Sequence, residues 1–164
     1  LAVINARFYA GALTCGAHAP SCGHVVRVEL ADDDVREEAV GTSFANAREA
    51  EACAAEVRKA MAACDRDSDN EDVTTTRCPR VVLLTPYAAQ ARRLLAQQTG
   101  VEVHTIDSFQ GREADTVVLS AVRDGSAGVG FWNDARRVVV ALTRARTRLV
   151  IVRSHAARWP EVGI

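Results

Sequence analysis

The sequence predicts an α/β protein built on a mainly parallel sheet, and three observations carry that reading. Val81–Leu84 is short and wholly apolar, as a strand buried on both faces of a parallel sheet must be. Other stretches carry apolar residues three and four positions apart, the period of a helix packed along one stripe. Strand-like and helix-like stretches then alternate along the chain, as βαβ units do.

Element by element, residues 1–13 read as an apolar lead-in and 14–24 as a loop. Val25–Leu30 alternates like a strand, and Ala31–Glu38 follows as an acidic loop. Asn46 is placed to cap a long helix, with Glu49 three residues on in capping-box position. Within 47–64, Ala50, Cys53, Ala54, Val57, Ala60, Met61 and Cys64 form one stripe of small side chains suited to close packing on a sheet. Asp65–Asp72 contains no apolar residue, so 65–78 is expected to be a flexible loop. After the strand Val81–Leu84, Thr85 is expected as the N-cap and Pro86 as the first helical position. That helix should run to about Gln98 and stop at Gly100. Val101–Ile106, Thr116–Val122 and Arg148–Val152 complete the strands. Between the last two lie a loop with Gly125, Gly128 and Gly130, and a helix capped by Asn133 or Asp134 and reaching Arg146.

At 164 residues the chain has room for one domain with one core, so 1–164 is read as a single unit. A hydrophobic content of 48% and a charged content of 25% are ordinary for a globular chain. No apolar run approaches the roughly 18 residues that a membrane-spanning helix needs, and no signal-peptide pattern opens the chain. It starts at Leu1, inside an apolar stretch, and is expected to be a piece of a longer protein. The net charge of −1 hides a division. Glu29 to Glu38 holds six acids against one arginine, and 136–158 holds seven arginines and no acid. Five scattered cysteines argue against a secreted disulfide scaffold and for a reducing compartment. Cys15, His18, Cys22 and His24 have the donor types of tetrahedral zinc. Their spacing is not that of a familiar finger, and a Gly/Pro/Cys surface loop is the competing reading.

Three segments carry groups that packing does not require, and all three are expected beyond the carboxyl ends of the strands, where open α/β sheets bind ligands. Thr85-Pro86-Tyr87 would aim a helix N-terminus and its unpaired N–H groups at that edge, which suits a phosphate. Ile106–Asp115 crowds Asp107, Ser108, Gln110, Arg112, Glu113 and Asp115 around one glycine, Gly111. The helix of Asp134–Arg146 has an apolar centre, yet Arg137 and Arg144 fall on nearly one stripe, with Arg136 and Thr143 on the next. Arginines on a packed helix need an anionic partner. Either Asp107, Glu113 or Asp115 neutralises them, or they reach a phosphoryl group whose charge a guanidinium offsets.

These residues together resemble the Upf1-like branch of superfamily 1 helicases. Thr85-Pro86-Tyr87-Ala88-Ala89-Gln90 looks like motif IV of that family, and Asp107-Ser108-Phe109-Gln110-Gly111-Arg112-Glu113-Ala114-Asp115 is similar to motif V. Gly130–Arg137 leading into Val140-Ala141-Leu142-Thr143-Arg144-Ala145-Arg146 resembles motif VI. Weaker similarity covers Phe8–Leu13 and Gly41-Thr42-Ser43 with Asn46 and Glu49, so the match spans nearly the whole chain in the family's order. The resemblance implies a RecA-like three-layer sandwich, the second (C-terminal) motor domain of an ATP-dependent 5′→3′ helicase or translocase. Arg144 would be the catalytic arginine at the γ-phosphate. Gln110, Gly111, Glu113 and Arg137 would line the nucleotide side, Glu113 toward the ribose. Thr85, Pro86, Thr105, Asp107 and Ser108 would hold the backbone of single-stranded RNA or DNA. Two positions depart from the family pattern: Val139 stands where asparagine is usual, and His104 is not a typical choice.

No Gly-x-x-x-x-Gly-Lys-[Ser/Thr] occurs in the chain, so a phosphate-cradling loop and its Mg²⁺ ligand are missing from it. The resemblance assigns those parts to the first RecA-like domain of the same polypeptide, and these 164 residues are expected not to hydrolyse ATP alone. A cytoplasmic or nuclear protein with no membrane partner is expected. Two other readings stand beside this one: a degenerate, non-catalytic module that binds nucleic acid or protein, which Val139 permits, and a P-loop ATPase that is not a helicase. RNA and DNA stay undivided, because backbone contacts do not test for a 2′-hydroxyl and no series of stacking aromatics stands out.

Overall fold

The structure, a computed structural model, describes residues 24–31, 36–67, 78–126 and 128–155. In chain order its elements are β1 (His24–Leu30), β2 (Glu38–Val40), β3 (Ser43–Ala45), α1 (Ala47–Asp67), β4 (Val81–Thr85), α2 (Ala88–Leu95), β5 (Glu102–Thr105), β6 (Ala114–Ser120), α3 (Ala135–Leu142) and β7 (Ala145–Ser154). Single 3-10 turns form at Asp107–Phe109 and Gly130–Asn133. Five strands make one all-parallel sheet in the order β1-β7-β6-β4-β5, and β2 and β3 form a separate antiparallel hairpin.

Side chains alternate between the two faces of a strand. Leu83, Val118 and Val150 therefore meet Ala50, Cys53 and Val57 of α1 and Leu94 of α2 on one face. Leu84, Leu119 and Ile151 meet Val138, Ala141 and Leu142 of α3 on the other. This is the RecA-like α/β sandwich in three layers. The β4–α2–β5 crossover moves along the sheet in one direction and β6–α3–β7 in the other, so right-handed connections put α2 and α3 on opposite faces. The strand order reverses between β6 and β4, and their carboxyl ends form the topological switch point.

Local departures from the sequence reading share a cause: tertiary partners supplied what local signals lacked. The expected acidic loop gives way at Glu38 to the β2–β3 hairpin, whose two-residue turn uses Gly41 at φ 61°. Thr85 does not cap a helix; it ends β4, and α2 starts only at Ala88. The capping oxygen comes from the hairpin instead, since Ala89 N donates to Ser43 Oγ at 3.1 Å. At its far end α2 stops at Leu95, short of Gln98. On α1 the stripe is buried at Ala50, Cys53, Ala54, Val57 and Ala60, but Met61 is 41% exposed. The helix runs on to Asp67, into the polar stretch read as loop, and 68–77 lie outside the described residues. Cys78 is disulfide-bonded, which the scattered cysteines did not predict. The acidic and basic stretches partly neutralise each other: Glu29 of β1 pairs with Arg153, its register partner on β7.

Candidate functional site

Asp107–Asp115 and Asp134–Arg146 lie on one face of the sheet and run from its carboxyl edge to its amino edge. Thr105 ends β5 at the carboxyl edge, whereas Glu113 precedes the first residue of β6 at the amino edge. The second segment makes the same passage through α3, and Arg144 stands just before β7. Contacts join the two segments at both ends: Asp107 to Arg137 at 3.8 Å, and Arg144 Nη1 to Arg112 O at 3.1 Å. The expectation that both segments sit beyond the carboxyl ends is therefore corrected. They divide their polar groups between two edges.

The amino edge is rich in guanidinium groups. Arg144 is not on a helical stripe with Arg137, because α3 ends at Leu142. Thr143 Oγ1 folds back onto Val139 O at 2.8 Å, and Ala145 is already paired with Ala114 in the sheet. Past this turn, Arg144 is half-buried and donates from Nε to Val140 O (2.8 Å), from Nη1 to Arg112 O (3.1 Å) and from Nη2 to Thr143 Oγ1 (2.9 Å). All three acceptors are neutral. Among the described residues no carboxylate lies within ion-pair distance of Arg144. Glu113, a possible neutraliser, pairs with Arg146 at 3.0 Å. Three fixed contacts orient the guanidinium and leave its charge and two of its five N–H groups for an anion. Gln110 and Gly111 are exposed beside it, with Gly111 at φ 79°. Next to them Glu102 collects His104 (3.0 Å), Arg80 (2.7 Å) and Arg112 (2.8 Å), and these hydrogen bonds lower its pKa to about 2. Arg112 also lies 4.8 Å from the Phe109 ring centre.

The carboxyl edge holds the residues expected to face a single strand. Asp107 and Ser108 are exposed, and Pro86 and Thr105 are half-buried. Ser108 N donates to Thr105 Oγ1 at 3.2 Å and Ser108 Oγ to Thr105 O at 2.9 Å, which shapes the 3-10 turn. Thr85 is different. It is fully buried, so its hydroxyl is closed off from any ligand at this edge. Arg137, expected with the nucleotide group, stands here as well, against Asp107 and 5.1 Å from the Phe131 ring. Arg144 lies seven positions further along the chain, past the end of α3. Asp134 is the cap of α3, accepting from Arg136 N at 2.9 Å. Val139, where the family pattern has asparagine, packs half-buried against the core.

Sequence reasoning missed a buried polar cluster at the switch point. Arg123 is 4% exposed, pairs with Glu37 at 3.0 Å, donates to Gly128 O at 2.8 Å and lies 4.1 Å from the Phe44 ring centre. Glu37 and Asp124 accept each other's backbone N–H at 2.9 and 3.1 Å. Burial raises the Glu37 pKa despite the arginine. Tyr87 Oη accepts from Phe131 N at 3.2 Å, and a Cβ on Gly130 would stand 2.5 Å from that oxygen. The only local signal was Asn46 with Glu49, and it misled in part. Asn46 Oδ1 does accept from Glu49 N (3.1 Å), but the Glu49 carboxylate turns into the core rather than back to the cap. Of the zinc candidates, Cys15, His18 and Cys22 lie outside the described residues, and His24 is exposed at the start of β1. Among the described residues no group of His, Cys, Asp and Glu could hold a metal ion.

Comparison with known proteins decides the family. A family model described as an AAA domain matches residues 1–156. Regulator of nonsense transcripts 1 of Dictyostelium discoideum is 37% identical over 113 residues, 68% of this chain and 8% of that protein. Its homolog in Arabidopsis thaliana is 37% identical over 137 residues, 76% of this chain and 10% of that protein. The ATP-dependent helicase upf1 of Schizosaccharomyces pombe is 36% identical over 132 residues, 70% of this chain and 12% of that protein. The chain belongs to the Upf1-like helicases. It spans about a tenth of the length of these curated relatives. In this helicase domain Arg144 and Glu113 occupy one edge of the sheet, and Asp107, Ser108 and Pro86 the other.

Proposed function

We propose that this domain is the second, C-terminal RecA-like half of an ATP-driven motor that moves on single-stranded RNA or DNA, 5′→3′ as the family resemblance implies. Thr85–Gln90, Asp107–Asp115 and Gly130–Arg146 act as its motifs IV, V and VI. The observation that carries the reading is Arg144: an oriented guanidinium whose acceptors among the described residues are all neutral oxygens, at an edge with exposed Gln110, Gly111 and Glu113. That donor set fits the phosphates of ATP, whose hydrolysis supplies the free energy for movement. Arg144 meets the γ-phosphate, and Glu113 faces the ribose. The P-loop and the Mg²⁺ ligands belong to the first RecA-like domain of the same polypeptide, so the site forms between the two. Pro86, Thr105, Asp107 and Ser108 hold the strand at the opposite edge, and Thr85 supports them from the core. The protein acts inside the cell, in cytoplasm or nucleus, and no described helix is long and apolar enough to cross a membrane.

Arg144→Ala in the full-length protein tests this directly. Arginines that stabilise a transferring phosphoryl group contribute on the order of 10³-fold or more to turnover. ATP turnover should fall by that factor while affinity for a single-stranded oligonucleotide stays within about twofold. Near-normal turnover in this variant would sink the assignment and favour a non-catalytic module.

A further inference from the structure

We infer that Glu49 is a positioning residue for the single-strand grip, acting by clamping a strained turn at Val122; this rests on the motor reading given above. Val122 has φ 71°, a left-handed conformation that is a genuine outlier for a β-branched residue. Arg123 N donates to Ala121 O at 2.9 Å, so residues 121–123 form a γ-turn with Val122 at its centre, a rare and strained type. The turn sits at the carboxyl end of β6, the central strand, at the switch point beside Thr85-Pro86-Tyr87.

Such a conformation persists only where the surroundings over-determine it. Here they do. Glu49, fully buried, accepts from Val122 N at 2.7 Å and from Ser120 Oγ at 2.8 Å. Asn46 Nδ2 reaches Val122 O at 3.5 Å, so both backbone groups of Val122 are held from the N-terminal turn of α1. Gln90 of α2, also fully buried, ties the same assembly together: Nε2 donates to Ser120 Oγ (2.9 Å) and Asn46 O (3.0 Å), and Oε1 accepts from Asn46 N (2.8 Å).

The turn sets the direction in which the chain leaves β6. That direction puts Arg123 into its slot beside Glu37 and Phe44, and brings Phe131 N onto Tyr87 Oη. Phe131 in turn carries Arg137, which meets Asp107. Loosening Val122 therefore unsettles Pro86-Tyr87 and Asp107, both at the nucleic-acid edge. Arg144 and Glu113, at the opposite edge, are fixed by separate contacts.

The test is a double-mutant cycle in the full-length protein at about pH 8, where a carboxyl that titrates near neutrality is ionised. The probes are fluorescent oligouridylate and oligodeoxythymidylate, with ATPase measured across both oligonucleotide and ATP concentration. Glu49→Gln keeps the shape but replaces a charged acceptor by a neutral one. It should raise the half-saturating oligonucleotide concentration about fivefold, with kcat and the KM for ATP within about twofold. Val122→Gly removes the steric cost of the turn, so in that background Glu49→Gln should cost less than about twofold. Val122→Asn, which tolerates the same φ, should behave likewise. An equal penalty in all backgrounds, or one that falls on the KM for ATP, overturns the inference. A wild-type ATPase that no oligonucleotide stimulates overturns the motor reading itself, before any variant is compared.

Discussion

The two edges of the sheet solve opposite electrostatic problems. At the carboxyl edge one cluster of charges is buried among protein partners, Arg123 against Glu37 and Glu49 against backbone and hydroxyl donors, while Asp107 and Arg137 stay exposed. At the amino edge they are exposed or half-buried and in excess on the positive side, with Arg80 and Arg112 sharing Glu102 and Arg144 without a carboxylate among the described residues. Several hydrogen bonds converging on a buried polar group rigidify the backbone around it. An exposed, under-neutralised cluster holds little structure and is free to meet an anion. The first arrangement holds a shape, and the second leaves positive charge unneutralised.

The largest test of that contrast is the loss of turnover expected for Arg144→Ala, because it should leave folding stability almost untouched. A thermal midpoint far below wild type would mean that the amino edge is structural as well. Next comes pH. Burial raises the Glu49 pKa from 4.5 to about 7, so between those values the folded state keeps a proton that the unfolded chain has released. Stability at this site falls as pH rises through that window, by about 3 kcal/mol in all, and is flat above it. Glu102 has the opposite sign: its partners stabilise the fold above the ordinary carboxylate range, and that contribution is lost as pH falls toward 2. Urea unfolding from pH 4.5 to 8 should show the first slope, and Glu49→Gln should abolish it.

Smaller effects follow from shape. Gly130→Ala puts a methyl 2.5 Å from Tyr87 Oη at φ 53°, which should destabilise the domain by about 2 kcal/mol in denaturant titration. The equivalent change at Gly111 meets no atom within 4 Å and carries only the strain of φ 79°, so it should cost about 1 kcal/mol, less than at Gly130, with its larger consequence for nucleotide affinity. Ser43→Ala removes the oxygen that caps α2 from across the hairpin and should cost about 1 kcal/mol. Equal losses at Gly130 and Gly111 would erase the distinction between a packed edge and an open one.

Much of the fold was legible because it rests on periodicity. Val81–Leu84 is a strand buried on both faces, and the Ala50–Ala60 stripe lies on the sheet as its spacing predicted. Helix ends were less legible. Thr85-Pro86 has the residue types of a helix start, but Thr85 is taken by the sheet, where its carbonyl accepts from Ile106 N at 3.0 Å. Asn46 and Glu49 have the types of a capping box, but Ser120 and Val122 outcompeted the cap for the carboxylate. In the first case sheet pairing holds Thr85 extended, and in the second a partner more than 20 residues away offered the better hydrogen bond.

The polar groups of the candidate site were equally visible in the chain, since Arg144, Glu113, Asp107 and Ser108 stand in segments that packing alone does not explain. Their division was not visible. Arg137 and Arg144 share a stripe if α3 continues, and part company if it stops at Leu142. What stops it is Ala145 pairing with Ala114 of β6, a contact between residues 31 positions apart. Local periodicity thus determined the layers and the inventory of charged groups. Only the parallel pairing of β7 with β6 decided which edge each group faces, because sheet hydrogen bonds join distant segments whose register no local pattern encodes.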